Sequence, residues 1–470
     1  MTFLRRSSLL AGFALAGTIA VADEPKTATP AKVAPAEKKD DAKTEKQKAE
    51  DEAKRLQEEI DKAQREYEAQ IKKAQQEGEK LASHKLLKEV KLSGKNGNGL
   101  QTLAVDGDGR VLALVAPPRG FSANQKGVTS AVHILDGDGK ETDKLTVDFH
   151  ATAVNAAPDG TIFVAGDGKF AKFDKKGKPV GETVELPFIA EALKDKDKMK
   201  AKAEKQIKDQ KESFQKIVQQ YKDRMAKLEE KEKAAKAKGE ELSKADATQL
   251  KQSKQILDSY KETEKYYDSM TVESVLEGML GRVKIVNSVS ANEKELFLVC
   301  GETEGYGYAL WRMDLDLKNP KQIKSGMSGC CGQMDVQCCG GDIVVAENTK
   351  HRFARYDRDG KELATGGKQG KETEPGCFGG CCNPMNVKGC GEDILTAESE
   401  GLIKKFGPSG EFKGIVGSVA ISGGCKNVAV GANADASRVY FCDQPGSRVL
   451  ILAKKEDKEE KKPEPKKDGK

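Results

Sequence analysis

Eleven cysteines carry the reactive chemistry of this chain, and all of them fall between Cys300 and Cys442. The vicinal pairs Cys330-Cys331, Cys338-Cys339 and Cys381-Cys382 account for most; Cys300, Cys377, Cys390, Cys425 and Cys442 stand singly. Thiols at that density can close disulfides, hold a soft metal or exchange electrons with a partner. An odd number leaves at least one thiol free, metal-bound or paired to another chain. Neighbouring Cα atoms sit ~3.8 Å apart, below the usual ~4.4 Å minimum across a disulfide. Adjacent side chains of an extended segment also point to opposite sides. Each vicinal pair is therefore expected to split, with disulfides between different segments drawn from Cys300, Cys330, Cys338, Cys339, Cys377, Cys381, Cys390 and Cys442.

Other reactive types are sparse. The histidines are His84, His133, His150 and His351, with no HExxH spacing among them. The chain has no Gly-x-Ser-x-Gly elbow, Walker loop or CxxCH haem site. Asp106-Gly107-Asp108-Gly109 and Asp136-Gly137-Asp138-Gly139 lack the further acidic ligands of a calcium loop and read as hairpin turns.

The elements that must position the cysteines come from an internal repeat. Gly329 to Glu347 and Gly380 to Glu398 match at 11 of 19 positions at a constant offset of 51. A third copy, Gly424 to Asp443, places Cys425 on Cys331 and Cys382. Those three thiolates, coming from neighbouring units, are the candidate ligands for Cu or Zn. A repeat of this pitch with β-branched runs means a solenoid or propeller. Turns such as Leu135-Asp136-Gly137-Asp138-Gly139-Lys140 and Tyr356-Asp357-Arg358-Asp359-Gly360-Lys361 recur, each after two strands and before one. Four short antiparallel strands per unit make a propeller blade. About 280 residues of strand pattern, at ~40 to 50 per blade, predict six blades.

The expected fold is all-β, a six-bladed β-propeller with an N-terminal helix and an inserted helical hairpin. Its segments run as a signal peptide over 1–22, a disordered linker over 23–48 and a helix or coiled coil over 49–83. The propeller follows over 84–187 and 280–453, interrupted by the hairpin at 188–279 and trailed by a charged tail at 454–470. The leader reading rests on Arg5-Arg6, the apolar run from Leu9 to Val21 and the small residues before Asp23. It predicts an exported protein, periplasmic or extracellular, without a transmembrane anchor. In the N-terminal helix Ala53, Leu56, Ile60, Ala63 and Tyr67 follow heptad spacing; in the insertion Ile207, Phe214, Tyr221 and Leu228 do. These helical arms are candidates for self-association. Leu86 to Leu92 has no unit of its own and is expected to close the last blade. A formal charge of +5 with Lys and Glu interleaved argues against a nucleic-acid partner.

Glu347-Asn348-Thr349-Lys350-His351-Arg352 resembles the NHL-repeat signature, in which an acidic residue ends the second strand and Asn-His-Arg opens the third. Ser437 to Leu450 repeats it loosely, and Asn383-Pro384-Met385-Asn386-Val387 is similar to the family's innermost strand. The resemblance implies a propeller whose upper face binds a protein or small molecule. It makes His150, Glu347, His351, Glu398 and Asp443 candidate ligand-binding residues there. The reading that follows is a non-catalytic binding or scaffold module with no required cofactor. A cysteine-based metal-binding or thiol-redox protein is the alternative, and a metal-assisted lyase or hydrolase of the NHL-like class is the second.

Overall fold

The computed structural model describes residues 39–94, 97–118, 128–194, 196–302, 307–330, 332–380, 382–421 and 427–456. The leader, the start of the linker, most of the tail, and Cys331, Cys381 and Cys425 lie outside them. The chain divides into two units, Met1–Arg65 and Glu66–Lys470.

Asp-Gly turns set the strand lengths. In the turn after Val105, Asp106 Oδ1 accepts from the Asp108 and Arg110 amides at 3.1 and 2.9 Å. Asp136, Asp174 and Asp357 do the same, and Gly139 closes its turn at φ 78°. A side-chain acceptor on its own loop plus a residue at positive φ is what such a hairpin requires.

The strands these turns connect form six four-stranded antiparallel sheets among the described residues. The inner strands are Gly99–Val105, Ala153–Ala156, Val286–Ala291, Val336–Cys339, Asn386–Cys390 and Val428–Ala432. Each touches the next and the last touches the first. A buried cluster fills every junction, because alternate residues of one strand serve opposite neighbours. Ile343 and Val345 pack toward the third sheet with Phe297 and Val299, while Val344 and Ala346 pack toward the fifth with Val387 and Ile394. The ring closes through Leu103 and Val111 against Ala429 and Tyr440. This is a β-propeller.

The last sheet is completed by the first strand of the chain. His84–Lys91 pairs antiparallel with Arg448–Lys454, from His84 opposite Lys454 to Lys91 opposite Arg448, with an irregularity at Leu86 to Lys88. The strand begins two residues before the expected Leu86 and covers the edge that the sixth sheet would otherwise expose.

Helix α1 spans Lys39–Leu81. The linker expected to run to residue 48 is therefore helical from Lys39, as its Lys, Glu and Ala content favours. The end of α1 seats on the fifth sheet: Ser418 Oγ donates to the Gln75 carbonyl at 2.8 Å and Gln75 Nε2 to the Glu400 carbonyl at 3.0 Å. Gly78 permits the approach, since a Cβ there would lie 2.5 Å from Leu402.

The insertion is four helices rather than a hairpin of two: α2 (Pro187–Lys194), α3 (Lys196–Ala237), α4 (Lys244–Ser269) and α5 (Val272–Lys284). Phe188 and Ile189 of α2 and Val283 of α5 belong to the cluster between the second and third sheets. Phe188 stacks on Trp311 with centroids 5.0 Å apart. Only α3 and α4 make a hairpin, joined by Phe214 against Tyr260 and Tyr267 and by Lys211–Asp268 and Lys231–Asp246 ion pairs at 3.4 Å. Among the described residues no helix is long and apolar enough to cross a membrane.

Candidate functional site

An inner strand of a propeller is a sheet edge, so its outer-facing amides need partners from the neighbouring blade. Here short polar side chains supply them. Ser288 Oγ accepts from the Val336 amide at 3.2 Å, Asp335 Oδ2 from Val387 at 3.0 Å and Asn386 Oδ1 from Val430 at 2.8 Å. Thr152 and Asn155 reach the carbonyls of Val286 and Val289 at 2.7 and 2.8 Å. Asp335 also receives Ser288 Oγ at 2.5 Å, and burial pushes its carboxyl up to about 6. With these groups in place the channel retains a cavity of about 10 Å³, at the lower limit for one water.

Of these channel residues only Asn386 is named from sequence, within the segment similar to the NHL innermost strand. The signal was available: Asp335 and Asn386 occupy the same position of the two best-matching repeats, and both accept an amide of the following inner strand.

The upper face is where each second strand ends, and there an acid meets a base. Glu347, 1 % exposed, holds Lys350 Nζ at 2.8 Å and Arg352 Nε at 2.6 Å. Asp443 accepts Arg448 Nε at 2.7 Å, and Arg448 reaches on to Glu89 of the closing strand at 2.8 Å. In the fifth sheet the base shifts position: Glu398 Oε1 lies 2.5 Å from Lys404 Nζ, with both side chains fully buried. Burial pushes Glu398 up to about 7, Lys404 opposes the shift and Glu400 adds to it. Lys404 also donates to the Cys377 carbonyl at 2.5 Å and sits 5.2 Å from the Phe378 ring centre. Glu400, itself raised by burial, takes Asn383 Nδ2 at 2.5 Å. The three candidate carboxylates thus sit at equivalent places around the ring, each paired within its own blade.

The histidines are packed. His150 Nε2 lies 3.1 Å from the Pro117 carbonyl, beneath the surface. His351 caps a single 3-10 turn at φ 52° and burial lowers its pKa. They are not brought together with each other or with the paired acids by any described contact.

Cys300, Cys338, Cys339, Cys377 and Cys390 are thiols. Cys338 packs toward the third sheet and Cys339 toward the fifth, the split that adjacent strand positions impose. Burial pushes Cys300 and Cys338 up to about 12, which makes them poor nucleophiles at neutral pH. Cys330 packs against the cluster at the fifth-to-sixth junction, which includes Cys382 and Met385. Of the proposed metal ligands only Cys382 is described, and among the described residues no three His, Cys, Asp or Glu converge as a metal site. At the lower end of the channel Lys388 lies in the field of Cys390, Asp335, Cys338 and Cys339; burial lowers its pKa and those groups oppose the shift. Its ammonium reaches the Val105 carbonyl across the ring at 3.5 Å.

Neither a protein-family model nor a curated protein sequence matches this chain. Among solved structures it is similar to the Neurospora crassa Pan2 WD40 domain, at 7% identity and TM-score 0.39, covering 79% of this chain and 96% of that one. A Myceliophteria thermophila Cps50 (Swd1) β-propeller domain follows at 10% identity and TM-score 0.38, covering 79% of this chain and 99% of that one. The WD40 propeller domain of Doa1 is comparable, at 10% and 0.36, covering 79% and 97%.

Proposed function

We propose that this chain is an exported, non-catalytic six-bladed propeller of NHL-like type that binds a protein or small ligand on its upper face. The observation that carries the reading is the plugged channel. A scaffold closed by its own first strand and filled to about 10 Å³ along its axis has rigid blades and a broad loop-bearing face, the arrangement on which binding modules are built. The acid-base pairs of Glu347, Glu398 and Asp443 support that face by fixing the strand ends from which its loops spring.

Site-specific photo-cross-linking in a cell that exports the protein tests it. A photo-reactive residue at position 350 faces the upper side, and one at position 108 the lower hairpins. Adducts formed from 350 and not from 108 support the proposal; adducts from 108 alone, or retention of the protein in the cytoplasm, overturn it.

A thiol-based reading is favoured by one specific observation, that Lys388 lies in the electrostatic field of Cys390, Cys338 and Cys339. Lys388 opposes the upward push of burial on each of these thiols, although burial is the larger effect. Metal analysis of protein purified without chelator, with a free-thiol count, separates it from the first reading. Bound Cu or Zn, or reversible loss of thiols in pairs, supports the thiol function.

A further inference from the structure

Three acids end the second strands of the last three sheets, and one of them is paired unlike the others. For two of them the base is an arginine five residues on: Arg352 for Glu347 and Arg448 for Asp443, with side chains 25% and 22% exposed. In the fifth sheet that position is Ile403, and the base is Lys404 one residue later, wholly buried with Glu398. The same sheet alone carries a second acid two residues after the first: Glu400 stands where the others have Thr349 and Pro445. Arginine stays protonated in proteins, whereas a buried lysine can give up its proton. Lysine at this place therefore admits chemistry that the other two pairs exclude.

The polar atoms fixed around Lys404 suit an amide better than two charges. The hairpin of Asp393–Ala397 and Leu402–Phe406 holds Nζ 2.5 Å from Glu398 Oε1. Beyond that carboxylate, the acceptor described for the ammonium is the Cys377 carbonyl at 2.5 Å, and the Phe378 ring centre lies 5.2 Å away. On the other side, the Gly379 amide donates to Glu398 Oε2 at 3.4 Å. One backbone acceptor and one backbone donor are what a secondary amide takes up; a buried ammonium and carboxylate require more. Burial pushes Glu398 up to about 7 and Glu400 adds to the push, so the protonated acid is present at neutral pH.

We propose that Lys404 and Glu398 condense, Nζ to Cδ, into an intramolecular amide that ties the two strands together inside the fifth sheet. The ammonium first passes one proton to the carboxylate, leaving a neutral amine and a neutral acid. Nζ then bonds to Cδ, a second hydrogen moves from Nζ to the hydroxyl on Cδ, the bond from Cδ to that oxygen breaks and one water leaves. Oε2 remains as the amide carbonyl and accepts from Gly379, while the remaining N–H donates to the Cys377 carbonyl. No oxidant is consumed. The bond replaces two buried charges and fastens Cys377 and Phe378 over the strand ends.

Mass spectrometry of the full chain tests the assignment. The native protein is expected to be lighter by one water than the sequence read from its observed N-terminus. Trypsin should leave the peptide of residues 389–405 uncut after Lys404, even when the protein has been boiled in detergent and reduced, which dissolves an ion pair or a disulfide. Fragment ions that break the chain between Glu398 and Lys404 should be missing from that peptide, and those outside the ring present. Lys404→Arg, which keeps the charge, and Glu398→Ala should each restore the full mass. The native peptide decides even where a variant fails to fold. Full sequence mass with ready cleavage after Lys404 in the native protein overturns the proposal. A lost water that maps to another peptide, or that persists in Lys404→Arg, overturns it equally.

Discussion

Two buried acids sit on the residues that hold the blades in register, and they titrate where exposed acids do not. Asp335 is pushed up to about 6 by burial and would return to about 3.9 in the unfolded chain. Between those values the folded protein holds a proton that the unfolded one has lost, so this contribution to stability is full below pH ~4 and vanishes as pH rises through 6. Burial lowers His84 and His351, which act oppositely: their contribution is lost as pH falls below about 6.5. The comparison must therefore be differential. Asp335→Asn should remove roughly 1–3 kcal/mol of the decline between pH 5 and 7.5, read as a flatter urea midpoint against pH; an unchanged slope would show that Asp335 titrates normally. Lys404→Ala leaves Glu398 buried beside Glu400 and should cost ~3–5 kcal/mol at pH 8. The loss should shrink at pH 5, where Glu398, pushed up to about 7, takes a proton instead. A loss that is equal at both pH values would mean the two side chains are not a pair.

At the level of elements, the helical insertion is two things joined end to end. Its base is propeller core, through Phe188 on Trp311 and Val283 in the same cluster. Phe188→Ala should cost ~3–5 kcal/mol. Removing the distal hairpin from Gly239 back to the Phe214 contacts should cost far less, and removing His84–Lys91 should abolish the cooperative melt. Calorimetry ranks the three; a hairpin deletion as damaging as Phe188→Ala would place α3 and α4 in the core. The sequence was legible where period and turn chemistry act locally: Asp-Gly hairpins, the 51-residue repeat, and a strand with no unit of its own. It was not legible at the insertion base, because Phe188 and Val283 look like any apolar helix positions until the sheets bring Trp311 beside them. The channel residues were overlooked for a related reason. A serine, aspartate or asparagine in a strand reads as solvent-facing, and only ring closure turns that face toward a neighbouring backbone.

For the whole molecule, the thiol chemistry makes a separate demand. Cys339 and Cys390 lie on adjacent inner strands, and Cys390 adds to the upward push on Cys339. Burial raises both, so alkylation by a neutral maleimide at pH 7 should be slow in the folded protein and at least ~100-fold faster in urea, where thiols return to pKa ≈ 8.5 and become accessible. Mass spectrometry of the tryptic peptides reads this directly. Rapid labelling of folded protein at Cys390 would instead identify a reactive site on the lower face and favour the thiol function.

The closing strand also sets the order of events during synthesis. Arg448 and Glu89, which clasp the seam, are 359 residues apart in the chain, and every residue between them is made after one half of the seam and before the other. His84–Lys91 leaves the ribosome long before its partner strand. A nascent chain can build individual hairpins, but it cannot complete the ring before Lys454 has been made. Until then His84–Lys91 must remain without its partner strand, and the sixth sheet without its outer edge. Chains stalled before Arg448 should therefore be protease-sensitive throughout the first sheet, whereas chains released after Lys454 become resistant in one step.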